Sequence, residues 1–271
     1  MSDILVLGEA QVRLYRQLMQ NRKAIIPMTG FTGLTGLSGL TDKLPENAII
    51  TDDPMRLKML SAHWLDNVRQ LYELRGMVGC AGSYKNTGIA LLSVGFGEVS
   101  AALYMKDAAL LGVRRFVYIG ECVSRVPGVR LMEVIIPSGG DALLTKQAMD
   151  VSSQVSVPVT IRDVTTCDRF FLDDSPAFGD SIVPGDGQIS DDAPVSGDAP
   201  VSGGGQVFAD IIDFAASAVA DYAALHGLAA ISVLTVSQNT STGERVDEHV
   251  RQSRFHDAAR ICFETLAFGM G

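Results

Sequence analysis

The chain is short of groups that would assign it quickly. It holds one tryptophan, four histidines and four cysteines in 271 residues. Cys80, Cys122, Cys167 and Cys262 lie far apart with no CxxC pair. That spacing argues against a zinc site or a disulfide framework, and for reduced thiols in the cytoplasm. Basic residues are in deficit: 22 lysines and arginines against 31 acids give a formal net charge of −9. A nucleic-acid backbone is therefore not an expected partner. No apolar run approaches the roughly 20 residues of a membrane span. Asp3 and the short run Ile4–Leu7 do not make a signal peptide, so no membrane role is expected. What is present is a 47% hydrophobic content, enough for a substantial core.

The most informative stretch is Ala90–Cys122. Ala90–Val94 is a short apolar run, and Gly95-Phe96-Gly97 breaks it. Val99, Leu103, Leu110 and Leu111 then fall near helical spacing, with Gly112 at a suitable end. Phe116–Ile119 is a second apolar run, closing at Gly120-Glu121. This is a βαβ pattern, which predicts parallel strands with a right-handed crossover. A glycine turn feeding a helix N-terminus offers an anion site, because unpaired N–H groups point outward there. A purely structural turn fits equally well, since the full dinucleotide fingerprint is absent.

Elsewhere, residues 9–21 read as a helix. Gly30, Gly33, Gly36 and Gly39 form a three-residue repeat, read as a flexible connector or a flap. Ala48–Thr51 reads as a strand, and Asp52-Asp53-Pro54 opens a helix carrying Arg56, Leu57, Leu60 and Trp64. Gly82–Lys85 and Asn86–Gly88 read as turns, Leu131–Pro137 as a strand, Lys146–Ser153 as a helix and Val157–Val164 as a strand. Residues 179–205, with DAPVSG repeated at 192–197 and 198–203, read as a mobile acidic loop. A helix at 207–226, a strand at Ala229–Ser237 and a helix at 244–268 complete the pattern. The alternation predicts a single α/β domain with a largely buried sheet over 48–271, preceded by an N-terminal helix and glycine-rich segment over 1–47. No metal ligand set is apparent.

Five segments in order resemble the nucleoside phosphorylase superfamily, on the uridine phosphorylase and hexameric purine nucleoside phosphorylase side. They are ITDDPMRLK within 49–58, RGMVGCAGSYK at 75–85, GFGEVS at 95–100, VTTCDRFF at 164–171, and Asp213–Ser217 followed by Gly227 and LTVSQN at 234–239. The resemblance implies a three-layer α/β fold around a twisted mixed sheet flanked by helices. It also implies a homodimer or hexamer, a nucleoside-like small-molecule ligand, and phosphate as co-substrate with no other cofactor. Arg56 and Arg75 then match phosphate-contacting arginines, the second donated across a dimer. Asp53, Gly95, Gly97 and Ser100 match as well, and Phe170 falls where the family stacks a ring on the base.

The same comparison exposes departures. Asp52 stands in place of the phosphate-loop glycine, Tyr118 in place of the central phosphate arginine, and Glu121 in place of a hydroxyl residue. Ala215 replaces the ribose-binding glutamate, with Phe214 in the methionine position. Gln238 replaces the purine-protonating aspartate. Asp213 lies two residues from Ala215 and would face away on a helix, but not in an extended segment. Losing one preorganised donor typically costs about 3 kcal/mol, so classical phosphorolysis is expected to be impaired. Three readings stand. In the first, the pocket is repurposed for acid–base chemistry by Glu121, Tyr118, Asp53 and Asp52, with Arg56, Arg75, Gly95, Gly97, Ser100, Phe170, Phe214 and Gln238 around the ligand. In the second, glycosidic cleavage of a modified nucleoside survives. In the third, the protein is a non-catalytic binding or structural homologue, a reading strengthened if Glu121 pairs with Arg56 or Arg75.

Overall fold

Apolar strands that alternate between two buried faces organise the molecule. In the strand Asn47–Thr51 (β1), Ile49 packs to one side and Ile50 to the other, and both are fully buried. A computed structural model describes residues 35–167, 210–247, 249–250 and 255–268. The helix expected over 9–21, the loop expected over 179–205 and Phe170 lie outside the described residues.

After β1 come helix α1 (Pro54–Trp64), the strands β2 (Asp66–Leu74), β3 (Met77–Tyr84) and β4 (Thr87–Ser93), and helix α2 (Glu98–Leu110). Then follow β5 (Arg115–Ser124), β6 (Val134–Pro137), α3 (Ala142–Val155), β7 (Val159–Arg162), β8 (Val164–Thr166) and β9 (Ile211–Asp213). The described chain ends with α4 (Ala216–His226), β10 (Ala229–Asn239), β11 (Glu244–Arg245) and α5 (His256–Ala267). The main sheet runs β2-β3-β4-β1-β5-β10-β6-β7. β4, β1, β5 and β10 are parallel, and β2, β3 and β6 pair antiparallel. The βαβ unit is present, with β1 inserted between β4 and β5.

Two apolar clusters give three layers. Ala101, Tyr104 and Met105 of α2 and Val219 of α4 pack on one face. Leu57 of α1, Leu144 of α3 and Ile261 and Phe263 of α5 pack on the other. Burial on both faces explains why the strands read as continuous apolar runs. Leu37 and Leu44 join the first cluster and tie the segment before β1 to the domain.

Several local expectations are corrected. Gly82–Tyr84 and Gly88 belong to strands, and only Lys85-Asn86 turn, both with positive φ. The helix expected over 207–226 starts at Ala216, because Ile211–Asp213 pair with β5 and β8. The helix expected over 244–268 spans His256–Ala267, with Glu244–Arg245 in a short strand. Leu131 precedes β6, which begins at Val134. Val99 and Leu110, noted for their helical spacing, do lie on a helix but are 70% and 78% exposed; Ala101, Tyr104, Met105 and Ala108 form its buried face.

Candidate functional site

Parallel strands with helices on both faces leave a crevice beyond their carboxyl ends. The carboxyl ends of β1, β4 and β5 bring Asp52, the glycine turn and Glu121 to this edge. Asp53 caps α1, its Oδ1 accepting from the Met55 amide at 2.7 Å. That cap sets the first turn of α1 and turns Arg56 inward, where it is 2% exposed.

Arg56 is the centre of the site. Its Nη1 donates to Asp52 Oδ1 at 2.7 Å and to Thr51 Oγ1 at 3.2 Å. Its Nη2 donates to Glu121 Oε1 at 2.5 Å. The Phe255 ring covers the guanidinium at 4.7 Å. Burial opposes the charge on Arg56, but Asp52 and Glu121 outweigh it and hold the guanidinium above its ordinary value. For Asp52, burial is the largest influence and raises the carboxyl above its usual range, partly offset by Arg56 and reinforced by Glu121 and Asp53.

Tyr118 is fully buried on β5, and burial keeps its phenol well above the ordinary value, with Asp52 and Asp213 adding to the effect. It is a neutral hydroxyl at physiological pH. Gly120 permits its position, since a Cβ there would lie 2.5 Å from the Tyr118 ring. Asp213 sits at the end of an extended segment. Its Oδ2 accepts from the Ala215 and Ala216 amides at 3.0 and 2.7 Å, and Oδ1 accepts from Thr166 Oγ1 at 2.5 Å. The carboxylate thus holds the amides at the start of α4, just ahead of its cap residue Ala215, and ties β8 to β9. Burial raises it, while the Thr166 hydroxyl and the amides pull the other way.

The structure brings Asp52, Arg56, Tyr118 and Glu121 together. Asp53 stands beside them as the helix cap. Gly95 and Gly97 form the turn after β4 with φ of 75° and 94°. The Ser100 hydroxyl donates to the Val94 carbonyl and so braces the turn. Arg75 is exposed at the β2–β3 hairpin tip with φ 55°. Gln238 is half-buried on β10, opposite Val123 and Arg245. Phe214 is half-buried just before α4. The sequence reads Phe255 as a core residue, and it is buried, but its place over Arg56 was not legible because no spacing links the two across about 200 residues. Among the described residues no cluster of three or more metal-binding side chains occurs. No helix among them is long and apolar enough to cross a membrane.

The fold and this edge define a three-layer α/β protein with a buried charged cluster toward the carboxyl ends of its parallel strands. A purine nucleoside phosphorylase of the DeoD type from Bacillus subtilis (strain 168) is 27% identical over 246 residues, covering 83% of this chain and 95% of that protein. A second, purine nucleoside phosphorylase DeoD-type 2 from Aliivibrio fischeri, is 24% identical over 241 residues, covering 81% and 92%. The crystal structure of purine nucleoside phosphorylase from Toxoplasma gondii in complex with immucillin-H matches with a TM-score of 0.67 at 16% identity, covering 88% of this chain and 96% of that one. No family model matches the chain. The relatives, at 24–27% identity, and the shared fold support the resemblance to the nucleoside phosphorylase superfamily.

Proposed function

We propose that this chain is an enzyme that acts on a nucleoside-like small molecule by acid–base chemistry, without phosphate as the nucleophile. The observation that carries this reading is the double pairing of Arg56 with Asp52 and Glu121. The relatives are named as phosphorylases, and the resemblance makes Arg56 a phosphate contact. Here its terminal nitrogens already hold carboxylates. A phosphate would have to displace them, and separating one partner of a buried pair costs about 3–5 kcal/mol. Glu121, at the open side of the pair with 13% of its side chain exposed, is the general base. Tyr118 supplies a neutral hydroxyl, and Gln238 hydrogen-bonds the ligand without protonating it.

The same pair favours a second reading, in which it fills the nucleophile's position and the scaffold only binds or assembles. Release of free base from purine and pyrimidine nucleosides, with and without phosphate, separates the two. The enzyme reading expects release at a rate independent of phosphate, lowered by roughly 10² in Glu121→Gln. Release that requires phosphate would sink it. No release and no thermal shift with any nucleoside would favour the non-catalytic reading.

The second copy implied by the resemblance would cover the exposed apolar residues Phe96, Val99 and Leu74, with Arg75 at the neighbouring hairpin tip. The buried thiols Cys80, Cys122 and Cys262 fit a reducing cytoplasm.

A further inference from the structure

A hydroxyl residue, a glycine and an apolar residue recur four times ahead of β1: Thr29-Gly30-Phe31, Thr32-Gly33-Leu34, Thr35-Gly36-Leu37 and Ser38-Gly39-Leu40. The last two copies fall among the described residues.

The third copy occupies a fitted seat on the first apolar cluster. Thr35 Oγ1 donates to Asp107 Oδ2 at 2.5 Å. Leu37 is 1% exposed within the cluster. Gly36 lies against the Tyr72 ring, where a Cβ would come within 2.1 Å. The ring has little room to yield. Gly79 on β3 crowds it as well, since a Cβ there would also lie 2.1 Å from it, and the Tyr72 hydroxyl donates to the Ser93 carbonyl at 3.1 Å. The seat therefore asks for a hydroxyl, then no side chain, then an apolar group. The fourth copy is held loosely beside it. Ser38 is exposed and donates to the same Asp107 oxygen at 3.2 Å, a Cβ on Gly39 would meet nothing within 4 Å, and Leu40 is only partly buried. The order that the seat demands stands again three residues upstream, where Thr32-Gly33-Leu34 is identical to Thr35-Gly36-Leu37.

We propose that the seat accepts two registers: Thr32-Gly33-Leu34 exchanges with Thr35-Gly36-Leu37, and the strap ahead of β1 slides by three residues. The contacts in the seat are the same in both registers because the residues are the same. Sliding lengthens the tether from the seat to Leu44, whose amide is anchored on the Leu111 carbonyl at 2.9 Å, from residues 38–43 to 35–43. Closing the longer loop disfavours the second register only roughly two-fold. The contacts of Ser38 and Leu40 favour the register seen here. The exchange draws chain in from the N-terminal side close to Arg75, since the Tyr104 hydroxyl bonds the Gly36 backbone and lies in the field of that arginine. It does not depend on the chemistry proposed for Arg56.

Oxidative cross-linking of the full chain, with the disulfides mapped by mass spectrometry, tests this. The pair Thr35→Cys with Asp107→Cys reads the register seen here, and Thr32→Cys with Asp107→Cys reads the second. Both should close, the first in higher yield. Adding Gly36→Ala should reverse the order: the Tyr72 ring excludes the new methyl, so closure from position 35 falls and closure from position 32 rises several-fold, with the fold kept by circular dichroism. Adding Gly33→Ala as well should abolish both. A Gly36→Ala chain that closes neither pair, or that fails to fold, would overturn the proposal, because the third copy would then be the only one that fits. Closure from position 32 that persists with both glycines replaced would also overturn it, since a loose arm would reach Asp107 without being seated.

Discussion

At the scale of single residues, the site is an accommodation of buried charge. Asp52 and Asp213 both have folded-state values raised above the ordinary 3.8, chiefly by burial. A raised carboxyl means that the folded state binds more protons than the unfolded chain. Stability from these groups is then greatest below the unfolded value and is lost as pH rises through the raised folded values. Urea unfolding of Asp52→Asn across pH 4 to 7 should show a flatter decline than the wild type. An unchanged slope would mean that Arg56 fully offsets the burial of Asp52. Asp213 illustrates what residue type alone leaves open. Its position two residues from Ala215 is compatible with facing the pocket or facing away. The pairing of β9 with β5 and β8 makes the segment extended, and the carboxylate is then taken by the Ala215 and Ala216 amides and Thr166. Asp213→Ala should therefore lower stability by about 2 kcal/mol in urea unfolding, through the buried Thr166 hydroxyl and the Ala215 and Ala216 amides that lose their acceptor. It should leave the Arg56 pairs intact in a crystal structure.

At the scale of elements, β5 carries Tyr118 and Glu121, two of the residues that the sequence reading set apart. Tyr118 and Gly120 share one face two residues apart, and the ring occupies the space above the glycine. Gly120→Ala should push the ring aside and cost about 1–3 kcal/mol through overpacking. Combining it with Tyr118→Ala should recover part of that loss, a coupling that a double-mutant cycle in urea reads directly. If the two changes add without coupling, the ring does not depend on Gly120. The strand itself was legible, since Phe116–Ile119 reads as an apolar run in any setting. Its extension to Ser124 was not, because Gly120 and Glu121 look like an end until pairing with β10 and β9 holds them in the sheet. The same limit shifted the start of α4. A helical composition from 207 onward says nothing of the strand partners that keep Ile211–Asp213 extended.

At the scale of the whole molecule, the exposed Phe96 in the glycine turn and Val99 at the start of α2 stand out, at 74% and 70% exposure. Replacing Phe96 with Asp should convert a dimer or larger assembly toward monomer in analytical ultracentrifugation, with the fold retained by circular dichroism. A wild-type monomer would show that this patch serves something other than a second copy. The order of strands and helices was carried by the sequence itself, because apolar runs, glycine turns and the Asp-Asp-Pro helix start are local signals that act within a few residues. So was the resemblance to nucleoside phosphorylases, together with the unusual residues Asp52, Tyr118 and Glu121. Which of these meet was decided only by tertiary structure. Asp52 and Glu121 are 69 residues apart and become partners of one arginine because β1 and β5 lie side by side. Phe255 reaches the same guanidinium from the far end of the chain because α1 and α5 share a face of the sheet. Pairing of charges depends on distance and burial, and neither exists until the sheet closes.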